Sequence, residues 1–251
     1  GDLVRALDDL GARGLGEIHA MISPDSSMWC GPRDEMAMLS RIGLPMRVRV
    51  FAITDLPDTL DRMKEAAGGD LRFGGWKGFA DGALGARTAA LSEPYADGPG
   101  AGTPRWGVGS HRACAERALE LGGSVAIHAI GDAAVDRVLD LFEALRSAGA
   151  DPSSLRIEHA SVIRPDAIVR MAELGVTASV QPAFVRSDGP WLPDRLGPRR
   201  LAWAHPFRSM SEAGIPLLGG SDAPVEVPDP WQAMADARTR PYLPGGESLD
   251  A

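Results

Sequence analysis

The sequence predicts an α/β fold on the plan of a (β/α)8 barrel, with seven of the eight strands readable. Short apolar runs without polar alternation recur between longer amphipathic stretches, as expected of parallel strands buried on both faces and joined by helices. The runs are mostly spaced by roughly 20 to 50 residues, which suits βα units. The chain length of 251 residues matches a single barrel of about 250 residues. An open doubly wound sheet would explain the same alternation, but no Gly-x-Gly-x-x-Gly or Gly-x-x-x-x-Gly-Lys-Ser/Thr follows the first strand, so the barrel is preferred.

The elements follow in order. The first half is expected to run helix Leu3–Leu10, strand Leu15–Met21, strand Met46–Ile53, helix Pro57–Ala67, strand Gly75–Phe79 and helix His111–Leu121. The second half continues with strand Val125–Ile130, helix Ala133–Ala148, strand Leu155–His159, helix Pro165–Leu174, strand Val176–Gln181, helix Leu201–Ala213 and strand Ile215–Gly219. In the helix from Ala133, residues Ala134, Val135, Val138, Leu139, Phe142 and Leu145 recur at three and four and should pack inward, with Asp132 as its expected N-cap. Asp151-Pro152-Ser153-Ser154 is a turn before the next strand, and Pro165 opens the helix after it. The 30 Gly and 20 Pro residues punctuate these segments and form no linker, so residues 1–251 read as one domain.

Composition excludes several function classes. With 26 basic and 34 acidic residues and a net charge of -8, the chain is a poor partner for nucleic acid. A 44% hydrophobic and 24% charged composition is that of a globular domain. No apolar run approaches the roughly 18 residues of a membrane span, and Asp2, Arg5, Asp8, Asp9 and Arg13 give no leader pattern. Cys30 and Cys114 lack Cys-x-x-Cys spacing and read as unpaired thiols, which suits a cytoplasmic, reducing location. A homo-oligomer is compatible with all of this.

In a barrel, reactive side chains gather at the C-terminal ends of the strands. Lys77, His128, His159 and Asp222 fall within or just beyond strand-like runs. Two imidazoles and a carboxylate suit a divalent transition metal, zinc first. A lone strand-end His is more often a structural hydrogen-bonding group, so the coincidence carries the weight. Lys77 as an ammonium has no lone pair and would need to be neutral or modified to bind metal.

These residues sit in segments that resemble the amidohydrolase superfamily, in particular its N-substituted formamide deformylase-like branch. The matching pieces are Trp76-Lys77-Gly78-Phe79-Ala80-Asp81-Gly82-Ala83-Leu84-Gly85-Ala86-Arg87-Thr88-Ala89-Ala90-Leu91, His128-Ala129-Ile130-Gly131-Asp132, Glu158-His159-Ala160 and Gly220-Ser221-Asp222-Ala223-Pro224-Val225. They occur in the family's order, and the resemblance covers nearly the whole chain. It implies a metal-dependent hydrolase that cleaves an amide or N-acyl C–N bond of a small molecule. Lys77 would be carboxylated to a carbamate bridging two metals, with His128 and His159 binding one of them. Asp222 would bind metal and take a proton from the attacking water.

The chain departs from the family at its first strand, which normally supplies a His-x-His pair. The five histidines, His19, His111, His128, His159 and His205, include no such pair, and no segment resembles the family's β-sandwich. The chain therefore reads as part of a longer protein or a truncation, with one metal or none. The alternative is a catalytically silent barrel with a binding or regulatory role; a Schiff-base enzyme using Lys77 ranks third. Glu17 and His19 could replace the missing pair, although a polar pair near the barrel mouth is the plainer reading. His111 and His205 are expected at the surface or at helix caps. Asp81 and Arg87 are candidates to contact substrate, or to brace their loop through an ion pair. Trp76, Trp106, Trp191 and Trp203 are expected in core and rim packing, with a pocket lining as the alternative.

Overall fold

The computed structural model describes residues 2–24, 34–106, 108–243, 247 and 249. Cys30 lies outside them. The chain divides into two compact units, Gly1–Gly78 with Gly107–Ala126, and Phe79–Trp106 with Ile127–Ala251. Among the described residues there are seven strands: β1 (Glu17–Ile22), β2 (Arg47–Ile53), β3 (Leu71–Phe79), β4 (Ser124–Ala129), β5 (Leu155–His159), β6 (Thr177–Val180) and β7 (Leu217–Gly219). They follow one another across the sheet in sequence order. The pairs β1/β2, β2/β3, β5/β6 and β6/β7 are parallel. The seven expected strands are all present.

In the first unit, α1 (Asp2–Ala12) precedes β1, α2 (Glu35–Leu39) and α3 (Pro57–Ala66) flank β2, and α4 (Val108–Glu120) precedes β4. The core is built on β2, where Val48, Val50, Phe51 and Ala52 are all essentially inaccessible. Leu60 and Met63 of α3 and Cys114, Ala115 and Ala118 of α4 are buried as well. Trp76 is buried with its indole N–H donating to the Thr54 carbonyl at 2.8 Å, so the largest side chain of the unit leaves no polar atom unsatisfied. β3 starts at Leu71, four residues before the expected Gly75. The pairing passes from Val50–Phe73 to Phe51–Gly75, skipping Gly74 at a bulge, and a Gly-Gly step that looks like a strand boundary is an irregularity inside one. Gly75 has φ +136°, and a Cβ there would lie 1.9 Å from the Ser124 carbonyl oxygen, so only glycine fits.

In the second unit, α5 (Asp132–Ser147), a single 3-10 turn Pro152–Ser154, α6 (Pro165–Leu174), α7 (Phe184–Asp188), α8 (Leu192–Leu201), α9 (Phe207–Glu212) and α10 (Pro230–Thr239) accompany the strands. The expected inner face of α5 is buried at all six positions. Its N-cap is Gly131, with no side-chain cap bond. Asp132 instead sits in the first turn and accepts from the backbone N–H and the hydroxyl of Ser92. α6 spans its expected range, opened by Pro165 and closed by Gly175 at φ 69°. Of the expected helix Leu201–Ala213, Phe207–Glu212 is helical as α9 and Leu201 is the last residue of α8; His205 at φ 46° and Pro206 lie between the two. α10 was not expected; Pro230 opens it, and the Asp229 carboxylate accepts from Trp231 N–H at 3.0 Å and Gln232 N–H at 3.1 Å.

Residues 80–106 contain no helix or strand, yet their backbone is well bonded. Arg105 N–H donates to the Ala80 carbonyl at 2.8 Å, Thr103 to Thr88 at 3.1 Å, Leu91 to Ala101 at 2.8 Å and Tyr95 to Gly100 at 2.8 Å. The Tyr95 hydroxyl is buried and donates to the Ala89 carbonyl at 2.8 Å. Among the described residues, no helix is long and apolar enough to cross a membrane.

Candidate active site

The second unit assembles its polar centre from four strand ends. His128 is the penultimate residue of β4, His159 the last of β5, Gln181 the first after β6, and Asp81 the second after β3. The two imidazoles meet edge to face with ring centroids 4.5 Å apart. Phe79 lies 5.5 Å from the His128 ring.

One nitrogen of each ring faces a fixed acceptor. His128 Nε2 lies 2.9 Å from the Gly82 carbonyl oxygen and 3.2 Å from Asp81 Oδ1. Both neighbours are acceptors, so Nε2 carries the proton and Nδ1 keeps the lone pair. His159 Nδ1 lies 2.7 Å from Gln181 Oε1. With that oxygen accepting, Nδ1 carries the proton and Nε2 keeps the lone pair. His159 has φ 73° and Ala160 after it has φ 47°. Two successive non-glycine residues in the left-handed region cost free energy that the surrounding structure must offset, a feature that concentrates at functional sites.

The Asp81 side chain is fully buried. Its carboxylate accepts from Gly131 N–H at 2.8 Å, Ala90 N–H at 2.9 Å and Ile130 N–H at 3.1 Å. It thus ties the loop after β3 to the exit of β4, with an ion-dipole bond at each point. Gly131 permits the approach, since a Cβ there would lie 2.0 Å from the Ala90 carbonyl oxygen.

Arg87 is half exposed and pairs with Asp97 through Nε at 3.0 Å and a terminal nitrogen at 2.9 Å. Arg195 also reaches Asp97 and donates to the Leu84 and Gly85 carbonyls. The hydrogen bonds from Arg87 and then Arg195 hold the Asp97 carboxyl below the usual carboxylate range. Arg87 therefore braces the loop. Trp191 and Trp203 stack beneath Arg195 and Arg199 at 5.6 and 5.3 Å, as rim packing would have them.

Asp222 lies beyond β7 on an exposed segment, at φ 53° and before the cis Ala223–Pro224 bond. Lys77 belongs to the first unit, where it is buried on β3 in register with Ile53 of β2. The structure thus brings together Asp81, His128 and His159. Sequence reasoning missed Gln181, whose only signal is its position at the end of a strand-like run.

The remaining histidines require correction. His111 is buried and meets Trp76 edge to face at 5.3 Å. His205 is only 1% exposed. Burial, and then the charge of Arg240, pushes its pKa down to about 3. Neither caps a helix at the surface. Glu17 is the first residue of β1, at the opposite end of the strand from a barrel mouth. Its carboxylate is held by Arg49 at 2.9 Å, Arg47 at 3.2 Å and His19 at 3.4 Å. The Arg49 bond, more than any other contact, holds its pKa low.

Residues 5–246 match the Amidohydrolase family. The chain belongs to that family. Among curated relatives, the YtcJ amidohydrolase of Bacillus subtilis (strain 168) is 37% identical over 201 residues, covering 78% of this chain and 37% of the relative. The N-substituted formamide deformylase of Arthrobacter pascens is 32% identical over 203 residues, covering 78% and 36%. A crystal structure of an uncharacterized metal-dependent hydrolase from Pyrococcus furiosus superposes with a TM-score of 0.83 at 37% identity, covering 98% of this chain and 51% of that one. The amidohydrolase chain thus spans a little over a third of these curated relatives and half of this structural neighbour.

The family is associated with divalent metals, so the donors must be tested for fit. His128 and His159 fit as a pair, because one nitrogen of each ring faces a fixed acceptor, which in the neutral ring leaves the lone pair on the other. A structural or catalytic metal usually takes three or four protein ligands. Among the described residues, no group of three His, Cys, Asp or Glu is placed to hold one.

Proposed function

We propose that this chain forms the catalytic barrel of a metal-dependent hydrolase that cleaves the C–N bond of a small amide or N-acyl compound. The observation that supports it most is the His128–His159 pair, two adjacent imidazoles whose tautomers are set by Gly82, Asp81 and Gln181. In this reading His128 and His159 hold a divalent cation, zinc first, with Asp222 and a carboxylated Lys77 as further ligands. Such a cation supplies an acidified water and polarises the scissile carbonyl. Asp222 takes the proton that water gives up as its oxygen bonds the carbonyl carbon, and returns it to the nitrogen as the C–N bond breaks. Asp81 stays out of the substrate's way, its carboxylate already engaged by three backbone N–H groups.

The test is metal content together with hydrolysis of a panel of N-formyl and N-acyl amines, repeated on His128→Ala and Asp222→Asn. Loss of turnover by about 100-fold or more in both variants is expected. Unchanged turnover in both removes these residues from the mechanism. The rival, a barrel that binds without turning over, is motivated by the five histidines, no two of which lie two positions apart. Binding of the same amides with no hydrolysis in a metal-loaded protein would decide for it.

A further inference from the structure

We propose that Gln181 is a positioning residue for this site: its side-chain carbonyl fixes His159 in the Nδ1–H tautomer and leaves the lone pair on Nε2. The inference rests on the reading of His159 as a metal ligand only for its functional consequence, and on geometry for the rest.

Gln181 is 5% exposed, and its Oε1 lies 2.7 Å from His159 Nδ1. The orientation of the amide is set by its other end, where Nε2 donates to the Ser179 carbonyl at 3.5 Å. A flipped amide would set its oxygen against the Ser179 carbonyl oxygen, two acceptors facing each other. The backbone around Gln181 is also anchored. Gly220 N–H donates to the Val180 carbonyl at 2.9 Å, and Phe184 N–H donates to the Gln181 carbonyl at 3.0 Å. That second bond closes a Gln-Pro-Ala-Phe turn and brings Phe184 alongside the same imidazole, parallel within 6° at a centroid distance of 6.1 Å. One turn therefore holds the His159 ring by its edge and by its face. An imidazole whose outer N–H has a fixed acceptor is locked in tautomer and orientation, and loss of such a partner typically lowers metal affinity by 10- to 100-fold.

The experiment compares the wild-type chain with Gln181→Leu and Gln181→Glu. Nitrogen NMR of 15N-histidine-labelled, metal-free protein, at a pH where both rings are neutral, reads the His159 tautomer. Zinc affinity is measured on the same samples by chelator competition, and thermal unfolding is followed alongside. Wild type and Gln181→Glu should show His159 as the Nδ1–H form, whereas Gln181→Leu should populate the Nε2–H form. Zinc affinity should fall by roughly 10- to 100-fold in Gln181→Leu and recover largely in Gln181→Glu, which keeps an acceptor oxygen. A His159 that stays Nδ1–H in Gln181→Leu, or is Nε2–H in the wild type, overturns the proposal. The tautomer measurement needs neither metal nor turnover, so a wild type that binds no zinc would sink the hydrolase reading while the tautomers still decide the role of Gln181.

Discussion

At the exit of β4, the polar groups of the second unit are bound from every side. Asp81 collects three backbone N–H groups, Gly82 and Asp81 hold one imidazole, and Gln181 holds the other. Beyond β7 the same unit builds quite differently: Asp222, Ala223, Pro224 and Val225 are all exposed. Local hydrogen bonds join residues there, Val225 N–H to the Asp222 carbonyl at 2.9 Å and Ala223 N–H to the Ser221 hydroxyl at 3.3 Å. The contrast teaches that two carboxylates assigned to one proposed site can be held in place by very different means.

The largest effect should come from Asp81→Ala. It leaves three buried N–H groups without an acceptor, at about 1 kcal/mol or more each, so urea unfolding should show a loss of at least ~3 kcal/mol. Asp222→Ala, on the exposed segment, should shift stability by no more than about 0.5 kcal/mol while abolishing hydrolysis. Equal stability losses in the two variants would erase the comparison. Gly131→Ala should fall between them, at roughly 1–3 kcal/mol, because the new methyl must displace the Ala90 carbonyl from the exit of β4.

A subtler test uses pH. His205 has its pKa lowered from 6.5 to about 3, by burial first. The folded state resists the proton that the unfolded chain accepts, so this residue's stabilisation is complete above 6.5 and is lost as pH falls toward 3. Asp188 runs the other way. Burial, and then Glu226, raise its pKa from 3.8 to about 7, so its contribution is complete below 3.8 and is lost as pH rises toward 7. Each acts at up to about 1.4 kcal/mol per pH unit between pH 4 and 6.5, and they offset one another. In the wild type these two contributions should therefore largely cancel in that window. Asp188→Asn should uncover a fall in stability on acidification, and His205→Asn a rise. The smallest effect concerns Cys114, whose thiol is pushed up to about 12 by burial. Peptide mass analysis should find it unalkylated by iodoacetamide at neutral pH until the protein is unfolded.

These contrasts also mark what the sequence could reveal. Strands and long helices were legible because continuous apolar runs and the three-four repeat of α5 follow directly from which faces are buried. Pro165 announced the start of α6. The split between α8 and α9 was hidden, because the left-handed turn at His205 has no glycine to mark it. At the site, His128 and His159 could be named from their places after apolar runs. The acceptor role of Asp81 could not, because it depends on backbone N–H groups nine and about fifty residues away. The burial of His111 and His205 was missed for a related reason. A histidine carries the same letter whether its ring meets water or Trp76.

The loop formed by residues 80–106 has a consequence for how this protein can change. Its two ends are joined by the Arg105 to Ala80 bond and part of its interior closes on itself, while Ser92, Ala96 and the Leu84, Gly85, Glu93 and Pro94 carbonyls are bonded to Asp132, Arg195 and Arg200 outside it. Where a segment closes on itself, as at the Tyr95–Gly100 turn, its exposed residues can turn over and its tip can change in length for a small entropic cost. Drift around Pro99, Gly100 and neighbouring positions can then remodel what lies above the strand ends without disturbing the exit of β4. The loop is exchangeable only together with its fastening: transplanting residues 80–106 between relatives should carry substrate preference with it where Asp81, Ala90, Gly131, Asp132, Arg195 and Arg200 are all kept.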